Sequence, residues 1–313
     1  MALMRTLEGK IALVTGGTRG LGKATALGLA KLGATVIIQG SDEDHTALAA
    51  AELRIASGSS KVDYVLADLG SMASVRRMAQ AVSTNYDSLN ILVNSETVHE
   101  PERRITSDGH ERTLAVNYLA PFLLTHLLLP LLRLSEGAQV VNLSAESHRF
   151  ARIQFEDLHS GYDYDASRAH AQAQLARVMF TYELARRVSR HGVTVNVVET
   201  GLDEQGVTLT MARRAGLRGK LAKLRGTLAQ SVSTEQAAAT VLRVVADSVY
   251  EGLTGRYFNH QGQMIRSSRE SQMQIDSKML WDISMQLLRI NRDLSVRVLD
   301  LPPLGDASLV TAS

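Results

Sequence analysis

Residues 11–30, "IALVTGGTRGLGKATALGLA", constrain this chain more than any other stretch. The apolar run 11–15 reads as a buried strand, and the residues after Gly22 carry apolar side chains at helical spacing. Between them stand Gly16, Gly20 and Gly22, where missing side chains let backbone amides approach a pyrophosphate at a helix N-terminus. A lone glycine pattern is weak evidence, because a tight turn uses glycine for its own packing. Here strand, turn and helix all fall where a dinucleotide-binding turn needs them, so the stretch points to that ancestry.

The rest of the chain keeps the same rhythm. Strands are expected at 35–39, 62–67, 89–94, 138–144, 193–198 and 255–259, with helix-period segments between them. Strands alternating with helices predict an α/β fold, a doubly wound parallel sheet of about seven strands with helices on both faces. One domain over 1–292 is expected, followed by a poorly ordered tail at 293–313. The run "ARRAGLRGKLAKLRG" (212–226) interrupts the pattern with six basic residues and no acidic one.

Composition narrows the function classes. The hydrophobic share of 45% supplies a large core, and a net charge of +2 gives no broad basic surface for nucleic acid. With no cysteine, disulfides and cysteine-ligated metals are excluded, and no metal site is expected. The first ten residues lack the apolar core of a signal peptide. The most apolar stretch, "LAPFLLTHLLLPLL" (119–132), holds His126 and two prolines and falls short of the ~20 residues of a spanning helix. A buried or subunit-contact helix, no transmembrane segment and a cytoplasmic protein are expected.

Several polar residues stand out. Asp42 lies near the distance at which an acidic residue meets an adenosine ribose, although "QGSDEDH" also reads as a helix start. Asp68 follows the third strand. In "SRAHAQAQLAR" (167–177), His170 and Gln174 are four apart and share a helix face.

From about residue 8 to 292 the chain resembles the retinol-dehydrogenase-like branch of the short-chain dehydrogenases/reductases. The matching motifs are "TGGTRGLG", "ADL", "ILVN", "TSDGHERTLAVNYLAPFLLTHLLLPLL", "VVNLS", "FTYELARRV", "GVTVNVV" and "EGLTGRYF". The resemblance implies a Rossmann-like fold and hydride transfer between nicotinamide and an alcohol or carbonyl. It implies NADP or NAD contacts from Thr15, Gly16, Thr18, Arg19, Gly20, Leu21, Gly22, Ser41, Asp68, Leu69 and Asn94, and a substrate-covering segment at about 205–230. It also implies a homodimer or homotetramer paired through helices around 112–134 and 165–188.

The departures from the family pattern carry as much weight. By that alignment Ala145 stands at the family's serine, His170 at its tyrosine and Gln174 at its lysine, while Asn117 is retained. Glu96 and Thr97 replace small residues beside the cofactor, Thr200-Gly201 replaces Pro-Gly, and Ser41 replaces an arginine common in NADP-preferring members. Lysine lowers the tyrosine pKa, which neutral glutamine cannot do, and alanine cannot donate a hydrogen bond. Losing a positioned acid–base group removes ~10²–10⁴ in rate, so the inherited mechanism is expected to be absent. A relocated pair, Tyr164 and Arg168, sits six residues early, about 240° round the helix. Histidine titrates near pH 6.5, which makes His170 a candidate acid/base, with Glu146, Ser147, His148 and Glu199 as expected cleft neighbours. Glu96 should repel a pyrophosphate unless it turns away or pairs with Arg19, weakening NADP or NAD binding.

Three readings follow. The leading one is an enzyme acting on a small, fairly apolar molecule by non-redox acid–base chemistry: isomerisation, cyclisation or elimination. The alternative is an unconventional NAD(P)(H)-dependent oxidoreductase interconverting alcohol and carbonyl. The third is a catalytically inactive binding or scaffold protein.

Overall fold

The computed structural model describes residues 4–202 and 232–290. The basic run 212–226 and the tail from 293 therefore lie outside the described residues. The elements are β1 (Ile11–Val14), α1 (Gly20–Lys31), β2 (Thr35–Gly40), α2 (Glu43–Ser57), β3 (Val62–Leu66), α3 (Met72–Asn85), β4 (Ile91–Asn94), α4 (Arg112–Arg133), β5 (Gln139–Ser144), α5 (Ala166–Val188), β6 (Thr194–Glu199), α6 (Thr234–Ala246), β7 (Tyr257–Phe258) and α7 (Gln274–Leu287).

The strands form one parallel seven-stranded sheet in the order β3-β2-β1-β4-β5-β6-β7, with helices on both faces. The alternation of side chains along each strand sorts the core. Leu13, Ile37, Leu92, Val140 and Val195 face α3, α4, α5 and α7. Ala12, Val14, Val36, Ile38, Val93 and Val141 face α1, α2 and α6. Strand β7 is shorter than expected: Gly255 adopts a left-handed φ of 64°, and Phe258 turns to an antiparallel bridge with Met264.

Helix α4 is the one described helix long and apolar enough to cross a membrane, and 89% of its apolar window is buried here against the sheet. Its register slips through a π turn at Ala115–Leu119. The slip places Asn117 so that its amide accepts from Val98 N (2.7 Å) and donates to Val98 O (2.8 Å), clipping the loop after β4 to the helix.

Chain order along the sheet reverses between β1 and β4, which leaves a crevice beyond their C-terminal ends. Two loops border that crevice: Thr15–Arg19 after β1 and Ser95–Val98 after β4.

Candidate functional site at the sheet switch point

The turn after β1 is set by backbone needs and by one buried amide. Gly16 has φ 66°, a left-handed conformation suited to glycine. A Cβ on Gly22 would strike the Gly16 carbonyl. Gln39 Oε1 accepts from Gly16 N (2.9 Å), while Gln39 Nε2 donates to Ala67 O (2.7 Å). This ties the turn to β2 and β3. Helix α1 starts at Gly20 without any side-chain cap, so its first amides remain open.

Two cavities extend from this turn. The first, about 390 Å³, is lined by Gly16, Arg19, Leu21, Gly22 and residues 95–97 on one side. On the other it is lined by Leu143, Ser144, Ala145, His170, Gln174 and Arg177. The second, about 480 Å³, runs over Thr18, Gln39, Ser41, Asp42, Asp68 and Leu69. Arg19 and Glu96 line both, so they form the waist of one long groove.

Glu96 presses on the turn: a Cβ built on Gly16 would collide with Glu96 Oε2 and come within 3.2 Å of its Cα. Burial raises the Glu96 pKa, and the charges of Arg19, Arg177 and Arg112 pull it back. Thr15 Oγ1 accepts from Ser95 N (2.9 Å) and Glu96 N (3.2 Å), which holds the loop in that position.

His170, Gln174 and Arg177 occupy successive turns of one face of α5. Gln174 Nε2 donates to Thr97 Oγ1 (3.2 Å) and faces His170 Nε2 at 3.4 Å; Thr97 Oγ1 is 3.3 Å from the same nitrogen. With the Gln174 amide donating, His170 Nε2 accepts and the ring proton belongs on Nδ1. That Nδ1 has no partner among the described residues, and neither have Ser144 Oγ and Gln174 Oε1.

Burial pushes the His170 imidazole down to about 3, helped by the nearby His99 and Arg177. The ring is neutral at physiological pH. The expectation of a group titrating near 6.5 is corrected: only 4% of His170 is exposed, and burial disfavours the imidazolium.

Other candidates fall elsewhere. Glu146, Ser147 and His148 ride on a 3₁₀ turn, and with Glu199 they are buried without lining either cavity. His148 Nδ1 lies 2.9 Å from Ala145 O, its ring packs on Tyr257, and Tyr257 donates to Glu199. Glu146 adds its charge to Tyr257. The expectation that these four residues are cleft neighbours is corrected: the turn carries Glu146, Ser147 and His148 away from the cavity linings, and Glu199, at the end of β6, is engaged by Tyr257 of β7.

Asn117 serves the clip described above and lies outside both linings. Asn94 lies under the groove, donating to Asn142 Oδ1 (2.7 Å) and Thr125 Oγ1 (3.2 Å). Asp42 caps α2 by accepting from His45 N (2.9 Å). Asp68 Oδ1 accepts from Gly70 N (2.8 Å). The relocated pair finds other partners, Tyr164 donating to Glu100 O (2.7 Å) and Arg168 to Asp163.

Sequence reasoning passed over Arg177. Only 1% exposed, it donates from Nε to Asn117 O (2.7 Å), from Nη1 to Leu143 O (2.7 Å) and from Nη2 to Glu96 O (2.8 Å). Burial lowers its pKa to about 10, which leaves it cationic. The signal was present: 170, 174, 177 and 181 form a polar stripe at helical spacing inside a helix that is otherwise core.

Comparison with known proteins agrees with this architecture. The family model "short chain dehydrogenase" matches residues 10–214. Mouse retinol dehydrogenase 11 is 34% identical over 287 residues, covering 92% of this chain and 89% of the relative. Mouse polyprenol dehydrogenase is 34% identical over 287 residues, covering 89% of this chain and 84% of the relative. The crystal structure of a short chain dehydrogenase from Burkholderia cenocepacia J2315 in complex with NADP superimposes with a TM-score of 0.62 at 26% identity. It covers 82% of this chain and 98% of that one. A parallel sheet with its glycine turn at the switch point, and matches that run nearly the whole length, establish that the chain belongs to the short-chain dehydrogenase family.

Proposed function

We propose that the protein is an NAD(P)(H)-dependent oxidoreductase that interconverts an alcohol and a carbonyl on an apolar substrate, with an altered set of polar groups. The observation that carries this reading is the single groove joining the bare glycine turn to His170 and Gln174. The names of its relatives, retinol and polyprenol dehydrogenases, favour the same chemistry over an isomerisation or elimination. The non-redox reading makes proton exchange near neutrality its whole chemistry, whereas burial keeps the His170 imidazole a weak base and Glu146 lies outside both cavity linings.

The groove fits a dinucleotide at its glycine end. Gly16, Arg19, Leu21 and Gly22 with the open amides of α1 would hold the pyrophosphate, and Thr18, Ser41, Asp68 and Leu69 the adenosine half. When bound, nicotinamide supplies or accepts the hydride. Glu96 is the misfit. Its carboxylate lies against the turn where phosphate charge would come, and on this reading it weakens binding.

At the other end Ala145, His170 and Gln174 take the places of the family's serine, tyrosine and lysine. Gln174 and Thr97 hold Nε2 of His170, and its Nδ1 is buried without a partner among the described residues, so on this reading it donates to a substrate oxygen once the substrate displaces the atoms that cover it. A neutral imidazole polarises a carbonyl in this way without changing its own charge, and the proton of the alcohol would be exchanged with water admitted to the groove. Leu21, Leu143 and Leu202 supply apolar walls.

The test is a thermal-shift and fluorescence titration with NADPH, NADH and their oxidised forms, followed by reduction of long-chain and isoprenoid aldehydes read as loss of NADPH absorbance. A stabilising shift with one cofactor and slow turnover that His170→Ala abolishes are expected. No shift with any of the four sinks the oxidoreductase reading in favour of a binding or scaffold protein.

A further inference from the structure

Among the described residues, the charged ones lining the inner cavity are Arg19, Arg177 and Glu96. Two guanidiniums thus face one carboxylate, and burial presses that carboxylate toward its neutral form. Arg177 is the unusual member. The Glu96 charge supports this buried cation, but all three hydrogen bonds given for it go to neutral backbone carbonyls of α4, β5 and the loop after β4. A guanidinium has five N–H donors. Two are therefore uncommitted among the described residues, on a side chain that lines the cavity. The carbonyl ties also fix its plane, which suits recognition of a carboxylate.

We propose that Arg177 makes the inner cavity a carboxylate site, so that the substrate is an apolar keto or hydroxy acid whose carboxylate meets Arg177 while its carbonyl oxygen meets His170. This rests on the inner cavity being the substrate end of the groove, and it names the substrate class. Gln174 lies one turn before Arg177 on α5 and contributes no charge, so the cation of this site has its own position along the helix. Leu21, Leu143 and Leu202 accommodate the apolar body.

The experiment compares 2-naphthoate with its neutral isostere 2-naphthamide, by isothermal titration at pH 7.5 on the full chain without dinucleotide. The wild type is expected to bind the acid at least tenfold more tightly. Arg177→Met reduces that ratio to within about twofold, and Arg177→Lys retains most of it. Arg177 also ties three segments together, so Arg177→Met removes three buried hydrogen bonds along with the charge. Gln174→Glu therefore serves as a second variant: it leaves the carbonyl ties intact, adds a neutralising charge and is expected to abolish the preference. Equal binding of acid and amide by the wild type overturns the proposal, as does a preference that survives both Arg177→Met and Gln174→Glu. Because no dinucleotide is present, failure of NADPH to bind leaves this result standing, and a failed naphthoate preference leaves the oxidoreductase reading standing.

Discussion

Replacing Glu96 by glutamine should tighten dinucleotide binding, and the structure allows the size to be worked out. The Glu96 carboxylate contacts the Gly16 surface over which a pyrophosphate would sit, and a contact separation of about 4 Å sets the scale of the repulsion. At that distance the repulsion is ~1 kcal/mol at the dielectric of water and ~4 kcal/mol at an effective dielectric of 20. Arg19, Arg177 and Arg112 offset part of it. A net gain of about 1–3 kcal/mol, roughly 5- to 150-fold in Kd, is expected for Glu96→Gln. Glutamine keeps the volume, so the change isolates charge. The pH dependence has a definite sign. Burial raises the Glu96 pKa, so lowering the pH through that raised value neutralises the carboxylate and increases affinity in the wild type. Glu96→Gln should show no such rise. Isothermal titration of NADPH between pH 5 and 8 measures both effects. An affinity unchanged within twofold, or a wild-type affinity that falls with falling pH, would refute the argument.

Other consequences can be checked independently. His126 is pushed down to about 4, and His148 and His170 to about 3, mainly by burial. Unfolded histidines protonate near pH 6.5, so the stability tied to these rings is complete above 6.5 and is lost as pH falls toward their folded values. Each contributes a slope of about 1.4 kcal/mol per pH unit. Urea midpoints from pH 7.5 to 5 measure this, and flat midpoints would contradict it. The His170 ring resonance should not titrate between pH 5 and 8 by NMR. Asn142→Ala removes two buried hydrogen bonds, although Asn94 Nδ2 keeps Thr125 and Thr181 Oγ1 keeps Arg177 O, and should cost about 1–3 kcal/mol, read as a lower Tm. Gly22→Ala drives a Cβ into the Gly16 carbonyl and should abolish NADPH binding along with lowering Tm, whereas the open site at Gly20 has no such collision.

The sheet, its parallel sense and the position of the glycine turn were legible in the sequence. Those features are periodic or local: apolar runs of strand length, helical spacing between them, and glycines where a chain must turn tightly. Helix α5 carries the same lesson for the site. The spacing of His170 and Gln174 placed them on one face, which a helix guarantees whatever surrounds it.

What surrounds them was a tertiary decision. Burial converts His170 from a group expected to titrate near neutrality into a neutral donor. The 3₁₀ turn after β5 sends Glu146 and His148 toward β7, although they are neighbours of Ala145 in the chain. Asp42 and Asp68 had both a ligand-binding and a turn-capping reading; the structure shows local backbone bonds for both and also sets both on the wall of the second cavity, a combination no spacing contains. Glu96 was visible as a charge beside a glycine turn, but its place between two cavities depends on packing of the β1 and β4 loops. Arg177 shows the division best. The sequence determined that a charged residue continues the polar stripe of α5, because helical geometry is local. Only the assembled fold decided that three carbonyls from three segments hold its guanidinium at the wall of the groove, because burial and charge compensation are properties of the packed chain.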